Sequence, residues 1–181
     1  MATKFNSQTI RALIAIGNPE KEYAHTYHNA GFEFIEALET PSWETPSRGH
    51  FIYTYFNKLL IIKTQTAMNS SGRAVHEACA YFKLLPEQLI ICHDDSDLPL
   101  GDYKLQWERG SAGHNGIKSI IETLHTRSFW RLRIGIRNIT HHQNAKADTF
   151  VLKKMSKEDR AHIYTIAEII KKMFVASMPD A

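Results

Sequence analysis

Two short stretches of the chain set the same pair of side chains in the same surroundings. Residues 24–31 read AHTYHNAG and residues 112–116 read AGHNG, so an imidazole stands beside a carboxamide, close to glycine, at His28-Asn29 and again at His114-Asn115, 86 residues later. Histidine is the side chain whose ordinary pKa suits general-base work near neutrality. A carboxylate on its other ring nitrogen would fix the tautomer and favour the protonated intermediate, and Asp94 in HDDSD (93–97) is the candidate. Asn18, Asn69 and Asn115 add uncharged donors and acceptors able to position a water or steady a developing oxyanion. This set describes water-mediated acyl hydrolysis without a covalent nucleophile.

Competing chemistries find less support. Ser70-Ser71 lies outside any G-x-S-x-G context, and the chain has neither G-x-G-x-x-G nor a P-loop lysine. HDDSD brings one histidine with acids and no second histidine cluster, so no metal is expected there. His141-His142, in a polar stretch, reads as solvated. Cys79 and Cys92 form neither a disulfide framework nor a metal-ligand cluster, as expected of buried thiols in a reducing, cytoplasmic setting. No apolar run reaches the roughly 18 residues of a membrane helix, and MATKFNSQTIR has no apolar segment of a secretory signal. The net charge of +3 is unevenly spread: residues 101–160 hold 12 Lys and Arg against 6 Asp and Glu, while residues 1–100 hold 8 against 11. A basic later half suits a phosphate-rich partner.

The elements that must position these residues follow from periodicity. RALIAIGN (11–18) reads as a buried strand entering a loop that runs to Ala30, and GFEFIEALET (31–40) as a short helix. HFIYTYF and KLLIIKTQT flank Asn57-Lys58 as a hairpin. Residues 70–85 place Ala74, Val75, Ala78, Tyr81, Phe82 and Leu85 at helical spacing. Residues 88–93 read as a strand with HDDSDLPLG leaving its carboxyl end, and 102–108 as a half-exposed strand. The loop 109–116 feeds a helix over 117–124, and in the strand WRLRIGIR (130–137) alternate arginines face away from Leu132, Ile134 and Ile136. Ser156 to Asp159 carries the capping-box pattern before a final helix with Ile163, Ile166, Ile170, Met173 and Phe174 on its apolar face. The 181 residues therefore predict a single α/β domain, residues 1–181 with a core of about 11–175, built on a twisted mixed sheet flanked by helices. Ligand sites of such sheets collect outside the carboxyl ends of the strands, where Asn18, Met68-Asn69, Asp94 and His114-Asn115 all arrive.

The motifs resemble one family. Tyr23 to Gly31 (Y-x-x-T-Y-H-N-x-G) resembles the first signature of bacterial-type peptidyl-tRNA hydrolase, and Gly113 to Ser119 (GHNGIKS) its second. IGNP, TQTAMNSSG, HDDSDLPLG and FWRLRIGI fall in the family's order over roughly residues 11–175. The resemblance implies the family's three-layer, phosphorylase/hydrolase-like architecture and hydrolysis of the ester joining a peptide to the 3′ ribose of tRNA, which recycles prematurely released peptidyl-tRNA. It makes His28 the general base, Asp94 its orienting partner and Asn115 a residue that positions the attacking water. Asn18 and Asn69 would hold the peptide and ester region, Tyr23 and Met68 would line the peptide groove, and His114 would support the site. Lys104 and Arg133 would contact tRNA. The family implies no metal or organic cofactor and a monomer.

The chain also departs from the family pattern. Tyr27 stands where the family usually has Arg, Glu20 where Gly follows the GNP proline, and Ala15 at a common glycine. Gln106 occupies a position that often holds a basic residue contacting the tRNA 5′ phosphate, and Arg137-Asn138-Ile139 replaces Gly-basic-Pro before a 138–149 segment placed as a lid. Two other readings stay open: a non-catalytic RNA-binding relative, a role this fold serves in organellar intron splicing, and a hydrolase of small N-acylated substrates.

Overall fold

The computed structural model describes residues 4–138, 146 and 149–175. The segment 139–145, with residues 147 and 148, lies outside the described residues, and with it His141-His142 and most of the expected lid.

Among the described residues the strands and α-helices, in chain order, are β1 (Ala12–Ala15), α1 (Ala30–Glu36), β2 (Phe51–Phe56), β3 (Leu59–Thr64), α2 (Ser71–Phe82), β4 (Leu89–Pro99), β5 (Tyr103–Trp107), α3 (Asn115–Leu124), β6 (Trp130–Arg137) and α4 (Lys157–Val175). They build one six-stranded sheet in the order β2-β3-β1-β4-β6-β5. The inner four strands run parallel, and the edge strands β2 and β5 pair antiparallel with β3 and β6. The mixed sheet flanked by helices is thus as expected. Parallel strands are covered on both faces, which explains the uninterrupted apolar runs of β1 and β3. On one face Leu13, Cys92 and Ile134 pack with Phe34 of α1 and Ile163, Ile166 and Phe174 of α4. On the other, Ile14, Ile62 and Ile91 pack with Val75 of α2 and Ile117 and Ile120 of α3. Sheet and helices make three layers.

Three differences from the periodic reading have local causes. The first helix stops at Glu36, and Glu39, expected inside it, adopts a φ of 52°. α2 stops at Phe82 because Lys83 enters the left-handed region at its end. Most consequential, HDDSDLP is not a loop: β4 runs on to Pro99, pairing with β6 through Asp95 and again at Pro99, with a register shift between them. Such irregularities re-aim side chains beside active sites. The capping box holds as read, Asp159 N–H donating to Ser156 Oγ at 3.0 Å and Ser156 N–H to Asp159 Oδ2 at 3.3 Å.

Candidate active site

His28 sits in a 3₁₀ turn, Tyr27–Asn29, that runs straight into α1. Its backbone N–H donates to Val151 O at 2.8 Å, and Tyr27 N–H to Lys153 O at 3.1 Å, so the segment entering α4 holds the turn from outside. From inside it is held by Asn29, which is buried. Asn29 Oδ1 accepts from Asn18 N–H at 2.8 Å, and its Nδ2 donates to the carbonyls of Asn18 (2.9 Å) and Tyr23 (2.8 Å). The asparagine of the first pair is therefore a clamp for the loop after β1. Gly31 lets α1 approach β4, since a Cβ there would lie 2.5 Å from the Cys92 carbonyl oxygen.

Asp94, buried on β4, receives two imidazoles. His28 Nδ1 lies 2.9 Å from each carboxylate oxygen, and His114 Nε2 lies 2.9 Å from Oδ1. The rings of the two histidines are 5.2 Å apart. One assignment of protons satisfies every contact. His28 carries its proton on Nδ1, leaving the Nε2 lone pair without a partner among the described residues. His114 carries its proton on Nε2, and its Nδ1 caps α3 by accepting from Ile117 N–H at 3.4 Å. Both nitrogens of His114 are thus engaged, and only His28 has a basic nitrogen to spare.

The electrostatics follow from that arrangement. Burial, the largest single influence, pushes the His28 pKa down, but the charge and hydrogen bond of Asp94 together outweigh it, so the group is held above the ordinary imidazole value. Burial likewise pushes Asp94 up, and the two histidines reverse this, holding its carboxyl well below the usual range. Asp94 is therefore a carboxylate at any pH where His28 could act as a base.

His28, Asp94, His114 and Asn115 line one cavity of about 280 Å³. Asp95, Ser96 and Asp97 from the end of β4, Ser111 to Gly113 from the loop before α3, and Val151 complete its wall. Asn115 is exposed at the first position of α3. The three asparagines expected on one cleft do not share this cavity. Asn18 lines a smaller depression with Asn29 and Glu33, its Oδ1 accepting from Met68 N–H at 2.8 Å, and Asn69 is exposed in the turn before α2. Met68 is only 2% exposed, and its Sδ packs beneath Gly116. Tyr23 is partly exposed, and its carbonyl, not its ring, takes part in the Asn29 clamp.

Among the described residues, His28, Asp94 and His114 are the group able to hold a metal ion, their ligand atoms lying within 4.8 Å of one another. Their 2.9 Å contacts are hydrogen-bond distances, and a cation would have to displace both bridging protons. The histidine of HDDSD is not in this group. His93 points elsewhere, its Nε2 accepting from Arg131 Nε at 3.1 Å.

The expected tRNA contacts divide. Lys104 is exposed on the edge strand β5. Arg133, opposite it in the ladder, is 3% exposed and engaged, its Nε donating to Asp95 Oδ2 at 2.6 Å and Nη1 to Gln106 Oε1 at 2.6 Å. In this structure the Arg133 guanidinium is a buried brace for a cavity-lining carboxylate. Gln106 supplies an acceptor to it where a basic side chain could not.

Comparison with known proteins now decides the family. The model of the family described as peptidyl-tRNA hydrolase matches residues 12–180. The chain belongs to the peptidyl-tRNA hydrolase family. It is 37% identical over 160 residues to the peptidyl-tRNA hydrolase of Ligilactobacillus salivarius, covering 85% of each protein. To that of Marinomonas sp. it is 39% identical over 161 residues, covering 84% of this chain and 82% of the other. The crystal structure of the Acinetobacter baumannii peptidyl-tRNA hydrolase superposes with a TM-score of 0.79 at 27% identity, covering 96% of this chain and 92% of that one. The His-Asp-His cluster and its cavity are thus the candidate active site of a peptidyl-tRNA hydrolase fold.

Proposed function

We propose that this chain hydrolyses the ester between a peptide and the 3′ ribose of tRNA, with His28 as general base. The observation that carries the reading is His28 held through Nδ1 by a buried carboxylate, its Nε2 unengaged in the wall of the cavity, in a chain of the peptidyl-tRNA hydrolase family. His28 Nε2 takes a proton from water as the oxygen attacks the ester carbonyl carbon, and Asp94 stabilises the imidazolium that forms. The tetrahedral oxyanion collapses, the bond to the 3′ oxygen breaks, and the imidazolium returns its proton to that oxygen. Asn115, exposed beside the base, positions the water; Asn18 and Asn69 meet the peptide and ester region, and Tyr23 flanks the peptide path. Lys104 and its basic neighbours meet tRNA phosphates.

We read the protein as a cytoplasmic monomer; among the described residues no helix is long and apolar enough to cross a membrane. The test is release of the acyl group from an N-acetyl-aminoacyl-tRNA, beside the same tRNA with a free α-amino group, for wild type and His28→Ala. Release confined to the blocked substrate and lost in the variant is expected. Salt-sensitive tRNA binding without release would mark an RNA-binding relative, and salt-independent cleavage of small N-acylated esters alone a different hydrolase.

A further inference from the structure

Behind the catalytic cluster lies a second, fully buried layer of polar side chains. Arg131 on β6 heads the largest fully buried side chains, at 0% exposure. Its hydrogen bonds go to no carboxylate: Nε donates to His93 Nε2 at 3.1 Å, and Nη1 donates to the carbonyl oxygens of Arg109, at 3.2 Å, and Gly110. A buried guanidinium is costly to keep unless its donors are used; Nε and Nη1 are used on one ring and one loop, while Nη2 is buried without a partner among the described residues. Burial first, then neighbouring Arg133, draws its pKa down to about 10, which leaves it charged near neutrality.

His93 passes the hold onward. Because its Nε2 accepts from Arg131, its Nδ1 carries the proton and donates to Asp94 O at 2.6 Å. Burial, reinforced by His114 and Arg131, keeps His93 well below the ordinary imidazole pKa, so this neutral tautomer is fixed. Its ring and that of His114 make a T-shaped contact, centroids 4.7 Å apart at 78°. The loop gripped at Arg109-Gly110 continues through the cavity-lining Ser111, Ala112 and Gly113 and ends in His114. One guanidinium thus holds that loop at its root and, through His93, the ring at its tip. That ring shares Asp94 Oδ1 with His28.

We propose that Arg131 is a positioning residue for the reaction: through the 109–110 carbonyls and His93 it fixes the place and plane of His114, and so the way Asp94 presents itself to His28. This rests on the reading of His28 as the base. Arg131 touches no substrate; removing it loosens the geometry of the acceptor that orients the base.

The test uses the full chain with N-acetyl-aminoacyl-tRNA. Arg131→Met keeps an unbranched stem as far as the place of Nε while removing the guanidinium and its charge; His93→Phe keeps an aromatic ring against His114 while breaking both hydrogen bonds. Arg131→Met is expected to lower kcat about 10- to 100-fold, the usual effect of a small misplacement set from a distance. KM is expected to stay within about threefold, as befits loss of an arrangement used in the transition state. The ring ¹⁵N signals of His114, assigned by their loss in His114→Asn, should move from a fixed Nε2–H tautomer toward the averaged pattern of an unrestrained imidazole. His93→Phe should show the same two changes in smaller measure. A folded Arg131→Met with wild-type kcat and unchanged His114 signals overturns the proposal; if that variant does not fold, the same result in His93→Phe overturns it. His28→Ala run alongside separates the two claims. If it is inactive while Arg131→Met matches wild type, the positioning role falls and the base stands; if it is active, both fall.

Discussion

Asp94→Asn removes the charge from the centre of the cluster while keeping its size. The carboxamide cannot keep all three contacts of the carboxylate, because His28 Nδ1 lies 2.9 Å from both oxygens and one of them becomes an NH₂ group. If its oxygen takes the place of Oδ2 and accepts from His28 Nδ1–H, its NH₂ group faces His114 Nε2, which must then give up its proton. That proton would move to His114 Nδ1, where it meets the Ile117 N–H that Nδ1 now accepts. If the NH₂ group faces His28 instead, the imidazole proton moves to Nε2 and the basic lone pair turns away from the cavity. The imidazolium formed in the reaction also loses its counter-charge. Unit charges about 4 Å apart at an effective dielectric of about 20 attract by roughly 4 kcal/mol. At about 1.4 kcal/mol per factor of ten, the plateau of kcat/KM should fall about a thousandfold. The pH dependence supplies a sign that mere misfolding would not. Burial lowers the His28 pKa and Asp94 raises it, with Asp94 prevailing; without the charge, burial acts unopposed and the pKa drops. Since the neutral imidazole is the active form, the acid limb of the profile should move to lower pH even as the plateau collapses. The assay is acyl release from N-acetyl-aminoacyl-tRNA between about pH 5 and 9, spanning the imidazole range, with circular dichroism to confirm folding. A plateau within tenfold of wild type, or an acid limb displaced upward, would refute the reasoning.

Tyr27→Phe deletes a buried hydroxyl that donates to Asp159 Oδ2 at 2.6 Å and ties the His28 turn to the start of α4. Urea unfolding should show a loss of about 1.5–3 kcal/mol, the usual worth of a hydrogen bond to a charged group, and an unchanged midpoint would remove Tyr27 from the fold's support. Lys104→Ala and Arg133→Ala should differ in kind. The exposed Lys104 should flatten the salt dependence of tRNA binding by about one phosphate contact. Loss of Arg133 leaves Asp95 buried without its partner, so it should cost about 3–5 kcal/mol of stability; the reverse pattern would place the phosphate on Arg133.

What the sequence disclosed, and what it withheld, divide along a physical line. Periodicity revealed the apolar strands and helices, because each must bury a face, and the His-Asn pairs with Asp94 revealed the chemistry, because those residue types have few other uses together. The continuation of β4 through HDDSDLP was not legible: acids and a proline read as a loop, and only the partner strand β6 shows that Asp95 and Pro99 are paired. Arg131 and Arg133 were hidden by the same rule in reverse. Alternating arginines on a strand suggest a solvated face, yet both are buried, one answered by Asp95 and Gln106, the other by His93 and two carbonyls. Asn29, next to the base in sequence, clamps the loop that bears Asn18 and Tyr23.

The cost of burying polar groups unites these cases. A reacting group needs one atom left unengaged, as His28 Nε2 is, and local sequence can advertise that. The groups that aim it are held by bonds of their own, and their partners come from β4, β5, β6 and the loop before α3, tens of residues apart. His114 stands on the boundary. Its motif marks it as a twin of His28, but the helix it caps takes its second nitrogen, and that single bond decides which of two histidines on one carboxylate is left to act as the base.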